Sequence, residues 1–136
     1  MELLKITYEK LGPKQQEIYN FQKVASCLAD YGFNCIKLAD DWRGADFLAY
    51  HVDGEKTLKV QLKGRITIDK KYIGKELYMA FPVDNEWYLI EHDKLVEHVD
   101  RATNWLNTES WERGKYSASK PNRALLDLIS KYRVST

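Results

Sequence analysis

Three side chains of this 136-residue chain have types and spacing that suit one chemistry: Asp46, Gln61 and Lys63. Asp53-Gly54 lies between two strand-like runs and signals a tight two-residue hairpin. If the chain reverses there, positions paired across the hairpin sum to about 107, so Asp46 faces Gln61 and Lys63 lies one same-face step further on. Direct and diagonal cross-strand neighbours lie roughly 5–8 Å apart. A carboxylate and an amide oxygen at that separation suit a hard cation such as Mg²⁺, which takes oxygen ligands and keeps several waters. The carbonyl of Leu62 offers a further oxygen. A lysine beside the ion can orient or help deprotonate an attacking water, or neutralise charge on a phosphorane. These are the parts that metal-assisted phosphodiester hydrolysis needs.

The elements that must position them are legible in the same way. In Thr57–Arg65, Leu58, Val60 and Leu62 alternate with Lys59, Gln61 and Lys63, which predicts a strand with one apolar and one polar face. Its partner runs from Ala45 to Val52, after a loop over residues 39–44. Gly12-Pro13 opens a helix in which Ile18, Phe21, Ala25, Leu28 and Ala29 recur at helical spacing, and Gly32 is available as its left-handed cap. Glu17, Phe21, Val24 and Leu28 form a stripe along that helix. A glutamate on an otherwise apolar stripe is expected to turn away from solvent, where it can join a metal directly or through water. Phe33–Leu38, Leu77–Val83 and Trp87–Ile90 read as strands, the last two around a turn at Asp84-Asn85. His92–Ala102 reads as a helix, and Pro121-Asn122 opens another. Residues 66–76 read as a loop or short strand, and residues 103–120 remain ambiguous. The order predicts one domain over 1–136, of α/β (α+β) class, with a mixed central sheet of about four to five strands flanked by helices.

The plainer reading makes Asp46 a turn residue and leaves Gln61 and Lys63 on the solvent side of an edge strand. The hairpin signal, the alternation and Glu17 together weigh against it, whereas the charge pattern by itself favours ordinary solvated surface. The net charge is only +1, yet residues 56–75 carry seven basic side chains against Asp69 alone, a local +6, while residues 84–112 sum to −6. Such asymmetry allows one basic face toward phosphates. Arg43, Arg65, Lys70, Lys71, Tyr72 and Lys75 are candidate nucleic-acid contacts, with a solvated loop the equal alternative for the five from Arg65 to Lys75. Trp42 reads equally as a stacking residue or a core lid. Lys115, Lys120, Arg123, Lys131 and Arg133 bias the C-terminal part toward a second contact. Cys27 and Cys35 lack the paired spacing of a zinc site and read as reduced core residues. His51, His92 and His98 are too scattered to recommend a nucleophilic triad. The N-terminal MELLKITYEK is too charged for a signal peptide or a membrane span, so a cytoplasmic protein is expected.

Glu17 in a first helix, Gly44-Ala45-Asp46 opening a strand and Val60-Gln61-Leu62-Lys63 on its partner resemble the PD-(D/E)xK nuclease superfamily, over about Gly12 to Ile90. The resemblance implies a restriction-endonuclease-like fold and Mg²⁺-dependent DNA cleavage, with Mn²⁺ as a substitute ion. Glu17, Asp46, Gln61 and Lys63 would be the catalytic set, with Asp46, Gln61, Leu62 and Glu17 around the metal. Two departures stand out: Ala45 where a proline is common, and Gln61 where a second acid is usual. The Gln-x-Lys form is similar to that of some homing endonucleases. A sequence-specific homing or restriction-like enzyme, acting as a homodimer or higher oligomer, is therefore expected. The alternatives are a Holliday-junction-resolvase-like nuclease and a non-catalytic DNA-binding protein with a degenerate nuclease fold.

Overall fold

Pro13, with its fixed φ and missing N–H, sits in the first turn of helix α1 (Pro13–Ala29) in the computed structural model, which describes residues 1–134. The helix stops before Gly32, whose φ of +86° only glycine adopts without strain and whose N–H closes on the Ala29 carbonyl at 3.1 Å. Asn20, Val24, Cys27 and Leu28 turn inward from α1.

The chain then builds strands β1 (Phe33–Trp42), β2 (Ala45–His51), β3 (Thr57–Leu62), β4 (Ile66–Asp69), β5 (Leu77–Val83) and β6 (Glu86–Glu91). Helix α2 (His92–Ala102), a short α3 (Glu109–Glu112), β7 (Lys115–Ala118), helix α4 (Arg123–Ile129) and a two-residue β8 (Arg133–Val134) complete it. Six strands form one mixed sheet in the order β1-β2-β3-β5-β6-β8, and β4 pairs with β7 in a separate ribbon. Among the described strands only β3 and β5 run parallel, joined by residues 63–76, which carry β4. The sheet is thus mixed and helix-flanked as expected, but larger than four or five strands.

Both faces of the sheet are covered. Against one face α1 packs Val24, Cys27 and Leu28 on Phe47, Ala49, Val60 and Ala80. Against the other, α2, α4 and β4 bring Leu95, Val99, Leu125, Ile129, Ile66 and Ile68 onto Met79, Phe81 and Ile90. The α4 start is set by Asn122, whose side-chain oxygen accepts from the Leu125 N–H at 2.8 Å.

Several local expectations change. Residues 39–44 are not a loop: β1 continues to Trp42, and Arg43 (φ +53°) and Gly44 (φ +86°) make the tight turn into β2. Asp53-Gly54 is not a two-residue turn, because the hairpin closes at His51, whose N–H donates to the Lys56 carbonyl at 2.8 Å. The Asp53 carboxylate stabilises this wider loop by accepting from the Glu55 N–H at 2.8 Å. The register is unaffected, since widening the loop equally on both strands preserves the sum. Asp84 and Asn85 do form a two-residue turn, both with positive φ as a type I′ turn requires. Of residues 66–76, read as a loop or short strand, 66–69 form a strand whose four residues are all buried.

Candidate metal centre and phosphate cleft

Asp46 and Gln61 meet because of the β2–β3 register. The ladder pairs Phe47 with Val60, Leu48 with Lys59 and Ala49 with Leu58, each summing to 107, and it ends at Phe47–Val60, with Asp46 and Gln61 next along the two strands. Phe47 and Val60 point to the α1 side. Alternation therefore sends Asp46, Gln61 and Lys63 together to the other face.

Just past the last ladder pair, the Leu62 N–H donates to Asp46 Oδ2 at 2.8 Å. The N–H and C=O of a strand residue project to the same side, so the Leu62 carbonyl is directed toward Asp46 as well. Burial raises the Asp46 pKa; the Leu62 hydrogen bond and the Lys37 and Lys63 charges oppose that rise, and Asp41 adds to it. Gln61 is 7% exposed, and its Oε1 is buried with no hydrogen-bond donor. An unsatisfied buried acceptor costs about 1–3 kcal/mol. Lys63 is half-buried, with Nζ 5.9 Å from the centre of the Tyr72 ring. Burial lowers its pKa, Lys115 and Lys71 lower it further, and Asp46 and Asp69 pull the other way. Burial also raises the pKa of Tyr72, with Asp69 and Asp46 adding to it.

These donors fit a hard divalent cation. A partly buried carboxylate whose pKa burial raises lies on the same face as a buried amide oxygen that lacks a donor. A cation satisfies both defects at once. Among the described residues no group of three His, Cys, Asp or Glu side chains could hold a metal. Such an ion would rest on one carboxylate plus neutral oxygens.

Glu17 does not turn away from solvent as its stripe suggests. Its side chain is 58% exposed and sits 4.0 Å from Lys14, and it is absent from the charges acting on Asp46. A stripe at helical spacing fixes a helix edge but not its depth, and no residue of α1 before Asn20 is buried. Asn20, one turn later, is the buried polar residue of that edge and donates to the Tyr8 hydroxyl at 3.0 Å.

Beside the Asp46–Lys63 face lies a cleft of about 550 Å³ whose walls include Arg43, Lys59, Lys71, Tyr72 and Lys75. Four of the candidate contacts (Arg43, Lys71, Tyr72 and Lys75) thus line one cleft, with Lys59 added and the acids Asp41 and Glu76 among them. Lys59 was hidden in the sequence as one more polar strand position; its Nζ donates to the Lys75 carbonyl at 3.0 Å. Arg65 and Lys70 go elsewhere. Arg65 donates to the Ser117 carbonyl at 2.9 Å and borders a second cleft, of about 720 Å³, near α1. Lys70 Nζ lies over the Trp111 ring at 5.5 Å. Trp42 is half exposed with Arg43 over its ring at 5.5 Å, so it is no core lid. Cys27 is buried, while Cys35 is only partly so; burial pushes its thiol pKa up to about 11, which keeps it protonated and unreactive.

Two further groups belong to this neighbourhood and escaped the sequence reading. Asp69, buried at the end of β4, accepts from the Lys71 N–H at 3.0 Å. His92 Nε2 accepts from the Asp69 N–H at 3.1 Å, which places the ring proton on Nδ1, facing Asp93 Oδ1 at 3.1 Å. The alternation Ile66-Thr67-Ile68-Asp69 was the available signal for a strand, and it was masked by the lysines that follow.

Among the described residues, no helix is long and apolar enough to cross a membrane. No family model and no curated protein matches the chain. Among solved structures, the fold is similar to that of a bacterial homing endonuclease, I-Ssp6803I, with a TM-score of 0.51 and 15% identity over 90% of this chain and 88% of that one.

Proposed function

We propose that this chain is a Mg²⁺-dependent DNA endonuclease of the PD-(D/E)xK type. The observation that carries the reading is the donorless, buried Gln61 Oε1, just past the end of the β2–β3 ladder on the face shared by Asp46 and Lys63. Asp46, Gln61 Oε1 and the Leu62 carbonyl would hold the ion, with Mn²⁺ as a substitute. When bound, the ion neutralises charge developing on the phosphoryl oxygens and lowers the pKa of water.

The protein's own residues do the rest. Asp46 is held in place by the Leu62 N–H and cannot swing away from the strand end. Lys63, with its pKa lowered by burial and by Lys115 and Lys71, orients the attacking water and accepts its proton at Nζ. The cleft bordered by Arg43, Lys59, Lys71 and Lys75 seats the DNA backbone. Glu17 is left with an outer, water-bridged role, so Glu17→Gln should slow cutting far less than Asp46→Ala. One domain carries one such site, so cutting both strands calls for a homodimer or a higher oligomer. The likeness to a homing endonuclease favours a defined target sequence over a branched one.

The test is incubation with supercoiled plasmid and a synthetic four-way junction, with Mg²⁺, with Mn²⁺ and with chelator. Metal-dependent nicking or linearisation that Asp46→Ala and Lys63→Ala abolish is the expected result. Preference for the junction over linear duplex would make the protein a resolvase. Binding without cleavage of any substrate would leave a DNA-binding module in which Gln61 cost the site its ion.

A further inference from the structure

Lys63 is one of three amines that the fold gathers from three separate elements. Lys71 belongs to the single 3-10 turn Lys70–Tyr72, and its Nζ lies 5.3 Å from the centre of the Tyr72 ring, the same ring over which Lys63 Nζ stands at 5.9 Å. Lys115 opens β7 and is paired directly with Asp69 across the β4–β7 ribbon, so the two side chains share a face with Cβ atoms about 5 Å apart. Asp69 also sits beside Lys71, with its Oδ2 4.0 Å from Lys71 Nζ. Lys63, Lys71 and Lys115 thus converge on Tyr72 and Asp69, and Lys63 lies within the fields of the other two.

Their counter-charge is insufficient. Two acids act on this group, Asp69 and Asp46, and each is partly engaged by backbone: Asp69 Oδ1 by the Lys71 N–H and Asp46 Oδ2 by the Leu62 N–H. Among the described residues, neither the Lys63 nor the Lys115 ammonium has a carboxylate within the 4.0 Å that separates Lys71 from Asp69. Three ammonium groups set against two carboxylates leave a net positive charge, and an entering anion offsets their mutual repulsion. Lys70, next in sequence to Lys71, is turned instead onto Trp111. The gathering is therefore a property of the fold, through the Asp69 cap and the His92 bond that anchors it, and not a general basic surface.

We propose that Lys71 and Lys115 form a phosphate clamp beside Lys63, seating the DNA phosphate adjacent to the one that is cut. The inference rests on the nuclease reading for the identity of the polyanion, and it adds a contact from β7, 52 residues beyond Lys63 in the chain. Asp69 acts as a positioning residue, holding the two lysines apart and oriented.

The experiment is equilibrium binding of a short DNA duplex across a salt series in chelator, for the wild type, Lys71→Gln, Lys115→Gln, the double variant and Lys94→Gln on α2. Each phosphate contact contributes about 0.9 to the slope of log K against log salt. Lys71→Gln and Lys115→Gln should each lower the slope by about 0.9, the double variant by about 1.8. Lys94→Gln should leave it unchanged, and thermal melts should confirm that all variants fold. Unchanged slopes in a protein that binds and cuts DNA overturn the clamp and leave the nuclease reading intact. Slopes that fall as expected in a protein that never cuts with Mg²⁺ support the clamp and remove the nuclease reading. An equal fall for Lys94→Gln overturns the clamp in favour of general surface charge, and a wild type that binds no DNA overturns both.

Discussion

Replacing Gln61 with leucine separates stability from function at a single atom. Gln61 Oε1 is buried without a donor, and its residue is 7% exposed. Folding therefore strips that oxygen of its water without replacing it, at a cost of about 1–3 kcal/mol. Leucine has similar volume, carries no acceptor, and would sit beside the buried Met79, with which Gln61 is paired in the β3–β5 ladder. Gln61→Leu should then raise stability in chelator by about 1–2 kcal/mol, or a few degrees in Tm for a domain of this size. The same substitution should remove the rise in Tm that Mg²⁺ gives the wild type, together with metal-dependent cutting. Gln61→Glu should do the reverse: it sets a second carboxylate against Asp46, lowers Tm in chelator and increases the gain on adding Mg²⁺. Differential scanning fluorimetry with and without metal, alongside plasmid nicking, reads both quantities. A loss of stability in Gln61→Leu without metal would mean that the amide has a structural partner and that the cation argument is wrong.

Asp46→Asn should flatten the acid side of the stability profile. The folded pKa of Asp46 is raised, mainly by burial, so its contribution is fully present below the unfolded pKa and is lost as pH rises through the folded one. Chemical denaturation at several pH values should show the variant gaining most on the wild type at neutral pH; an identical pH dependence would refute the assignment. Lys63→Arg keeps the charge but cannot release a proton near neutrality, so it should cost about 10²–10⁴-fold in cutting rate if Nζ accepts the proton from water. Retained activity in single-turnover assays would reduce Lys63 to charge neutralisation. At the Asp84-Asn85 turn, where Asn85 has a φ of +65°, Asn85→Val should destabilise by about 1–2 kcal/mol and Asn85→Gly should not, as urea titration would show.

The sequence by itself determined the elements whose signals are local. The α1 start at Pro13, the β3 alternation, the Asp84-Asn85 turn, α2 from His92 to Ala102 and the Asn122 cap are all stated by neighbouring residues, and each formed where it was read. The β2–β3 register, with paired positions summing to 107, was also legible, because antiparallel register depends on that sum and survives a change in loop width. Only the tertiary structure decided depth and convergence. Helical spacing cannot say how far a helix edge overhangs its sheet, so Glu17 was read as inward when it faces solvent. Adjacent lysines look alike in sequence, yet Lys70 turns to Trp111 while Lys71 turns to Tyr72. Lys115 reaches the site only because β7 pairs with β4, a contact between segments more than 40 residues apart that no local pattern encodes.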